Sequence, residues 1–272
     1  MEKIKNVSEE HVKKIISFIE NKKERIQAVC INTIIKENIF DILDDNCTVV
    51  YYPIEDKNNG FHTSRQVKGK KKNFVFINTW NPMEIQIYTA AHELGHIWEL
   101  ENEFKNCQCD IEDIMDRFAA ELLMPKGVFI KDFMRLSDAY MVDDKILFSN
   151  FVKVCIDLMD IYFVPFESVV RRIYEIEKID EKTLENVLGL LKKEILSQDE
   201  LKKFARAASI KKLFKPMENE GKRGINDLDE LLIKMENIDG FQDYVNELRE
   251  KFRIPAIKEI SEEPISIGNL EG

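Results

Sequence analysis

The pentapeptide His92-Glu93-Leu94-Gly95-His96 constrains this chain more than any other stretch. On a helix, two histidines four residues apart can act together on one ion. There each residue turns the chain by about 100°, so positions four apart differ by roughly 40°. Both imidazoles then leave the same side, and Glu93 projects close by. A glutamate so placed does not easily reach the ion itself but can hold a water bound to it. The flanks agree with a helix: Pro82 suits a first helical position, with Asn81 before it as N-cap. Ile85, Tyr88 or Thr89, His92 and His96 then recur at helical spacing. The chain has only 4 histidines, and this motif takes two of them. Without a third ligand the same pattern would be an ordinary amphipathic helix carrying two histidines.

A catalytic zinc takes three protein ligands and keeps a position open for water. The best third candidate is Glu112, in Asp110-Ile111-Glu112-Asp113-Ile114-Met115-Asp116-Arg117-Phe118. Ile111, Met115, Phe118 and Leu122 form the apolar stripe of a second helix. Glu112 and Asp116 share another face, so Glu112 can complete the site while Asp116 accepts the second N–H of a ligand histidine. On spacing alone Asp110, Asp113, Glu101 and Glu103 compete with Glu112. Tyr88 and His62 are the candidates for a hydrogen-bond donor to a reacting oxyanion, by availability only, and Tyr88 reads more readily as core.

These residues resemble the ImmA/IrrE metallopeptidases, named for an anti-repressor of a mobile element and a radiation-response regulator. The family typically shows H-E-L-G-H and then E-x-x-A-N-x-F-A-x-x-L-L-M-P. Here the second motif runs from Glu112 through Asp116-Arg117-Phe118-Ala119-Ala120-Glu121-Leu122-Leu123-Met124-Pro125. Asn59-Gly60-Phe61, Phe76-Ile77-Asn78 and Thr89-Ala90-Ala91 match upstream. The resemblance covers about residues 40–127 and continues weakly through Phe163-Val164-Pro165 and Val169-Val170-Arg171-Arg172-Ile173. Two positions depart from the pattern. Met115 stands for Ala, implying local repacking, and Asp116 stands for Asn, keeping an acceptor.

The resemblance implies an α+β fold: a zincin-like domain with a small sheet against the active-site helix, followed by a mostly helical C-terminal region. It implies a zinc endopeptidase with His92, His96 and Glu112 on the metal, Glu93 as general base and Asp116 behind the ligands. It implies a protein substrate, a helix-turn-helix repressor whose cleavage releases a mobile-element or stress response. His₂Glu ligation suits other divalent ions as well. Two further readings stay open. One is a metal-containing binding or sensor module that sequesters a regulator or antitoxin-type partner uncut. The other is a structural zinc with Asp116 or Cys109 as fourth ligand.

The rest of the chain bounds these readings. At 272 residues with 44% hydrophobic content there is ample material for a packed core. Lys+Arg 40 against Asp+Glu 50 leaves a net charge of -10, which disfavours direct nucleic-acid binding. Lys68, Lys70, Lys71 and Lys72 read as a solvated loop or strand edge. Five scattered cysteines and a charged Met1-Glu2-Lys3-Ile4-Lys5 start, with no long apolar run, point to the cytoplasm and to no membrane span. Cys107 and Cys109 read as free thiols.

The expected organisation is a peptidase domain over 1–127, a helical region with a helix-turn-helix-like element over 128–180, and a helical extension over 181–272. Ser8 is expected to cap a first helix with His11 exposed in its first turn. A second helix is expected from Ile26 to about Leu43, and strands over Cys47–Ile54 and Asn73–Asn78. The stretch from His62 to Lys72 reads as a polar connection with some strand content. Helices are expected over about 128–136, 146–160 and 166–178, then within 181–214 and 226–252. Lys215-Pro216 and residues 218–224 read as a linker, and the tail after Pro255 as frayed.

Overall fold

A computed structural model describes residues 7–30, 34–55, 58–67, 70–141, 145–216, 228–236, 242–252 and 254. The chain divides into a unit over Met1–Asn226 and a second over Asp227–Gly272. The fold is α+β, with a small sheet among many helices.

The first unit opens with α1 (Glu9–Asn21), capped by Ser8 as its sequence predicts, since the Ser8 hydroxyl accepts from the His11 N–H at 3.3 Å. His11 is half-buried rather than exposed, because its ring faces Cys107 and Phe104. The long helix expected to Leu43 is instead two: α2 (Lys23–Val29) and α3 (Asn38–Asp44). Cys30 is extended and Lys36 left-handed between them. Ile34 and Ile35, just before Lys36, are β-branched and weak helix formers.

The sheet has the order β1 (Thr48–Tyr52), β3 (Lys70–Asn78), β2 (Gly60–Val67). β1 runs parallel to β3, with Val49 opposite Val75 and Tyr51 opposite Ile77. These four side chains are fully buried and form the sheet's contribution to the core. β2 pairs antiparallel with β3, from Gly60 opposite Ile77 to Val67 opposite Lys70. The described residues of the polar stretch after His62 are therefore strand, in β2 and the start of β3. Along β2, residues alternate between the half-buried Phe61 and Thr63 and the exposed His62 and Ser64, as an edge strand with one wet face allows. Lys68 lies outside the described residues.

The helix that carries both motif histidines, α4 (Met83–Ile97), lies against this sheet. Pro82 is its N-cap rather than its first residue, and the Asn81 amide donates to Asn59 at 3.1 Å instead of capping. Gly60 brings β2 and α4 together: a Cβ there would lie 2.5 Å from the Phe76 carbonyl oxygen and 2.7 Å from Thr89 Cγ2. α4 ends at Trp98, followed by a left-handed Glu99 and a 3-10 turn over Leu100–Phe104. The second motif helix, α5 (Ile111–Leu123), follows. Asp110 caps it, its carboxylate accepting from the Glu112 N–H at 3.0 Å.

α6 (Lys126–Tyr140), α7 (Phe148–Tyr162) and α8 (Phe166–Glu175) complete the core. The tight turn between α7 and α8 is made by a left-handed Phe163. Arg172 of α8 does not face outward. It is fully buried and reaches back to Glu121 of α5. α9 (Glu181–Lys192), α10 (Gln198–Phe204) and α11 (Ala207–Ile210) follow.

Lys215 and Pro216 are not a free linker. The Lys215 carbonyl accepts from the Met83 N–H at 2.8 Å, Pro216 bridges to Pro82, and the Phe214 N–H donates to both oxygens of buried Glu84 at 3.2 Å. The Lys215 carbonyl thereby partners one main-chain N–H of α4's first turn, where such groups lack helical partners, and Phe214 partners the Glu84 side chain. Residues 218–224 and the tail beyond Pro255 lie outside the described residues. The second unit contains α12 (Leu228–Glu236) and α13 (Gln242–Phe252), joined by Arg249 to Glu236 at 2.8 Å. Among the described residues no helix is long and apolar enough to cross a membrane.

Candidate metal centre

α4 and α5 pack side by side with their ligand-bearing faces adjoining. Gly95 allows the close approach: a Cβ there would lie 2.6 Å from Met115 Sδ and 3.0 Å from Phe118. Met115, the bulky departure from the family pattern, fills the space that Gly95 leaves and is fully buried. This brings together the residues that the sequence singles out. His92 Nε2 lies 3.1 Å from one Glu112 oxygen, and His96 Nε2 lies 3.7 Å from the other. His92 Nδ1 lies 2.8 Å from Asp116. One donor atom from each of His92, His96 and Glu112 falls within 4.8 Å of the others. Asp110, a competitor for Glu112, is the α5 cap instead.

The electrostatics follow from the packing. Burial pulls the His92 pKa down, but the hydrogen bond and charge of Asp116, with Glu93 and Glu112, outweigh it and raise the net value. The His96 pKa is lowered by burial and by the nearby His62, against the pull of Glu93 and Glu112. The carboxylates are the open side of the site: the side chains of Glu112 and Asp116 are 64% and 58% exposed, while Glu93 is 7% exposed.

His62 enters the site from β2, in a place that its position in the chain does not reveal. Its Nδ1 lies 2.9 Å from Glu93 Oε2, and its ring stacks on His96 with centroids 4.2 Å apart. His62, Glu93 and His96 thus form a second donor group sharing His96 with the first. Tyr88, the other oxyanion candidate, points elsewhere. Its hydroxyl donates to the Asp116 carbonyl at 2.9 Å, and burial holds its pKa well above the ordinary phenol value. Cys109 groups with His11 and Cys107, not with the motif histidines.

The donor chemistry fits a divalent metal. Two imidazoles and a carboxylate converge, and a second carboxylate binds the far nitrogen of one ligand ring, as in many zinc sites. A mixed fold in which a sheet backs a helix with this motif defines a metallopeptidase-type domain. Residues 44–174 match the family described as the IrrE N-terminal-like domain, a peptidase family, and this domain belongs to the ImmA/IrrE family. The matched stretch holds both motif helices, the β2 histidine and, away from the site, the buried Arg172. No curated protein matches the chain. A solved structure of a Mycobacterium tuberculosis transcriptional regulator is similar at 14% identity, with a TM-score of 0.39, over 59% of this chain and 46% of that one. The chain therefore spans less than half of that protein's length.

Proposed function

We propose that the chain is a zinc-dependent endopeptidase in which His92, His96 and Glu112 hold the metal and Glu93 is the general base. The observation that carries this reading is the convergence of both motif Nε2 atoms on Glu112, with Asp116 on the other nitrogen of His92. When bound, zinc supplies Lewis acidity, bringing the pKa of its water to about 7 and polarising the scissile carbonyl.

The protein's own groups do the rest. Asp116 accepts the Nδ1 proton of His92 and so leaves the Nε2 lone pair for the metal. Glu93 takes the proton of the attacking water and passes it to the departing amine. Its seclusion favours that exchange, and His62 orients its carboxylate through the 2.9 Å hydrogen bond. The alternative donor group of His62, Glu93 and His96 would place the proposed base on the metal. Among the described residues β2 has a strand partner on only one side in the sheet. Its other edge is the natural track for an extended peptide, which would add as a further strand beside His62. The ImmA/IrrE membership favours a protein substrate, and a helix-turn-helix repressor is the substrate class it suggests.

Metal content of the purified chain, read by mass spectrometry, tests the ligands. Glu112→Ala should sharply weaken binding, whereas His62→Ala should leave it intact. The reverse result would transfer the metal to the second donor group. Glu93→Gln should retain zinc and lose cleavage of a repressor substrate. A stable complex with uncut repressor, indifferent to Glu93→Gln, would instead make the chain a metal-containing module that sequesters its partner.

A further inference from the structure

A third group of metal-type donors shares no residue with the other two: His11 on α1, with Cys107 and Cys109 in the segment leading into α5. His11 Nε2 lies 3.1 Å from Cys107 Sγ. One donor atom from each of the three residues falls within 4.8 Å of the others. With zinc–sulfur bonds of about 2.3 Å and zinc–nitrogen bonds of about 2.0–2.1 Å, donors on a tetrahedron sit roughly 3.5–3.8 Å apart. The 3.1 Å between His11 and Cys107 and the 4.8 Å bound on the other pairs lie within small side-chain rotations of that arrangement.

The cluster is held in place from several directions. Ser8 caps the main chain at His11. The buried Phe104 presents its ring edge-on to His11, with centroids 5.4 Å apart and planes at 88°. The Cys107 N–H returns to the Phe104 carbonyl at 2.9 Å, so one turn fixes both the imidazole's neighbour and the first thiol. The second thiol immediately precedes Asp110, the α5 cap. All three donors are half-buried, and both cysteines are free thiols. That combination leaves them reachable by an ion yet partly shielded from water.

We propose that His11, Cys107 and Cys109 form a second cation site, selective for thiophilic divalent ions and ordinarily taking zinc. Solvent or a small thiol fills the fourth position. Binding releases both thiol protons to solvent, and the two thiolates balance the charge of the ion while His11 binds as neutral imidazole. The site would tie together residues 96 apart in sequence and brace the entry to α5.

Cobalt(II) is the probe, added to the full-length reduced chain. About two ions per chain should bind, with a sulfur-to-cobalt charge-transfer absorption. Cys107→Ser with Cys109→Ser should remove one ion and the absorption, whereas Glu112→Ala should leave the absorption unchanged. The absence of sulfur charge transfer in the parent chain, or a cobalt count indifferent to both serines, would overturn the site. Because the double variant could lose its fold, His11→Ala gives an independent check with both thiols kept. It should weaken cobalt at the sulfur site on the order of tenfold or more, and an unaltered titration would equally overturn the proposal. A failure of the peptidase reading would show only in the Glu112→Ala and Glu93→Gln variants.

Discussion

α5 carries two polar clusters on different faces, and they solve opposite problems. On one face Glu112 and Asp116 lie mostly in solvent, each within reach of a motif histidine. On the other, Glu121 and Arg172 have side-chain exposures of 3% and 0%. Arg172 donates to both Glu121 oxygens, at 2.9 and 2.6 Å, and to the Met124 carbonyl at 2.9 and 3.0 Å. Glu175 and Arg117 close the network. The buried cluster satisfies its charges internally and locks α8 to α5. The exposed one leaves its carboxylates accessible, which a ligand site requires and a structural knot does not. The same helix can serve both because residues four apart repeat one face while their neighbours turn to another.

The contrast can be broken most forcefully at Arg172. Arg172→Met leaves Glu121 buried and under-compensated and should cost about 3–5 kcal/mol of unfolding free energy, measured by urea titration. Zinc bound per folded chain should be unchanged. Adding Glu121→Leu should recover part of that loss, because two apolar side chains need no partner. Asp116→Ala should do the reverse, weakening zinc by roughly 10–100-fold in a competitive chelator assay while barely moving the urea midpoint. A large stability loss there would mean that Asp116 is structural and the two faces are alike.

Between the faces, Gly95→Ala should cost about 1–3 kcal/mol by overpacking, since its new methyl meets Met115 and Phe118. Met115→Ala in the same chain should relieve much of that penalty, and strict additivity of the two would deny the interlock.

The pH dependence separates the faces again. Burial would raise the Glu121 pKa, but Arg172 and Arg117 outweigh it and hold the net value below normal. Its stabilising contribution is therefore complete above the unfolded glutamate pKa of about 4.3. It is lost as pH falls through the lower folded value. Unfolding monitored at decreasing pH should show this acid loss, and Arg172→Met should diminish it. The smallest effect is expected from Tyr88→Phe, about 0.5–1.5 kcal/mol, for the hydroxyl that supports the Asp116 carbonyl.

What was legible in the sequence was what lies within a single helix. His92 with His96, and Glu112 with Asp116, are pairs four apart, and the period of the helix alone aligns each pair. Long-range partners leave no such trace. Arg172 reads as one of two adjacent basic residues, and nothing local announces a carboxylate 51 positions earlier. His62 reads as a loop histidine because the β2–β3 register that carries it to Glu93 is a tertiary fact. His11 reads as exposed because its thiol partner comes from a distant segment. Met115 was the exception, since a bulky residue in place of Ala implied repacking and the structure has it against Gly95.

The link between Glu84 and Phe214 bears on how the molecule comes into being. A ribosome releases the helix with both motif histidines long before it makes the segment that completes that helix's first turn, 130 residues later. During that interval Glu84 has no main-chain partner from Phe214, and the leading end of α4 lacks its last hydrogen bonds. Synthesis itself thus sets the order in which the site matures: the motif comes first, and the contact that steadies its helix comes only when the first unit is nearly finished.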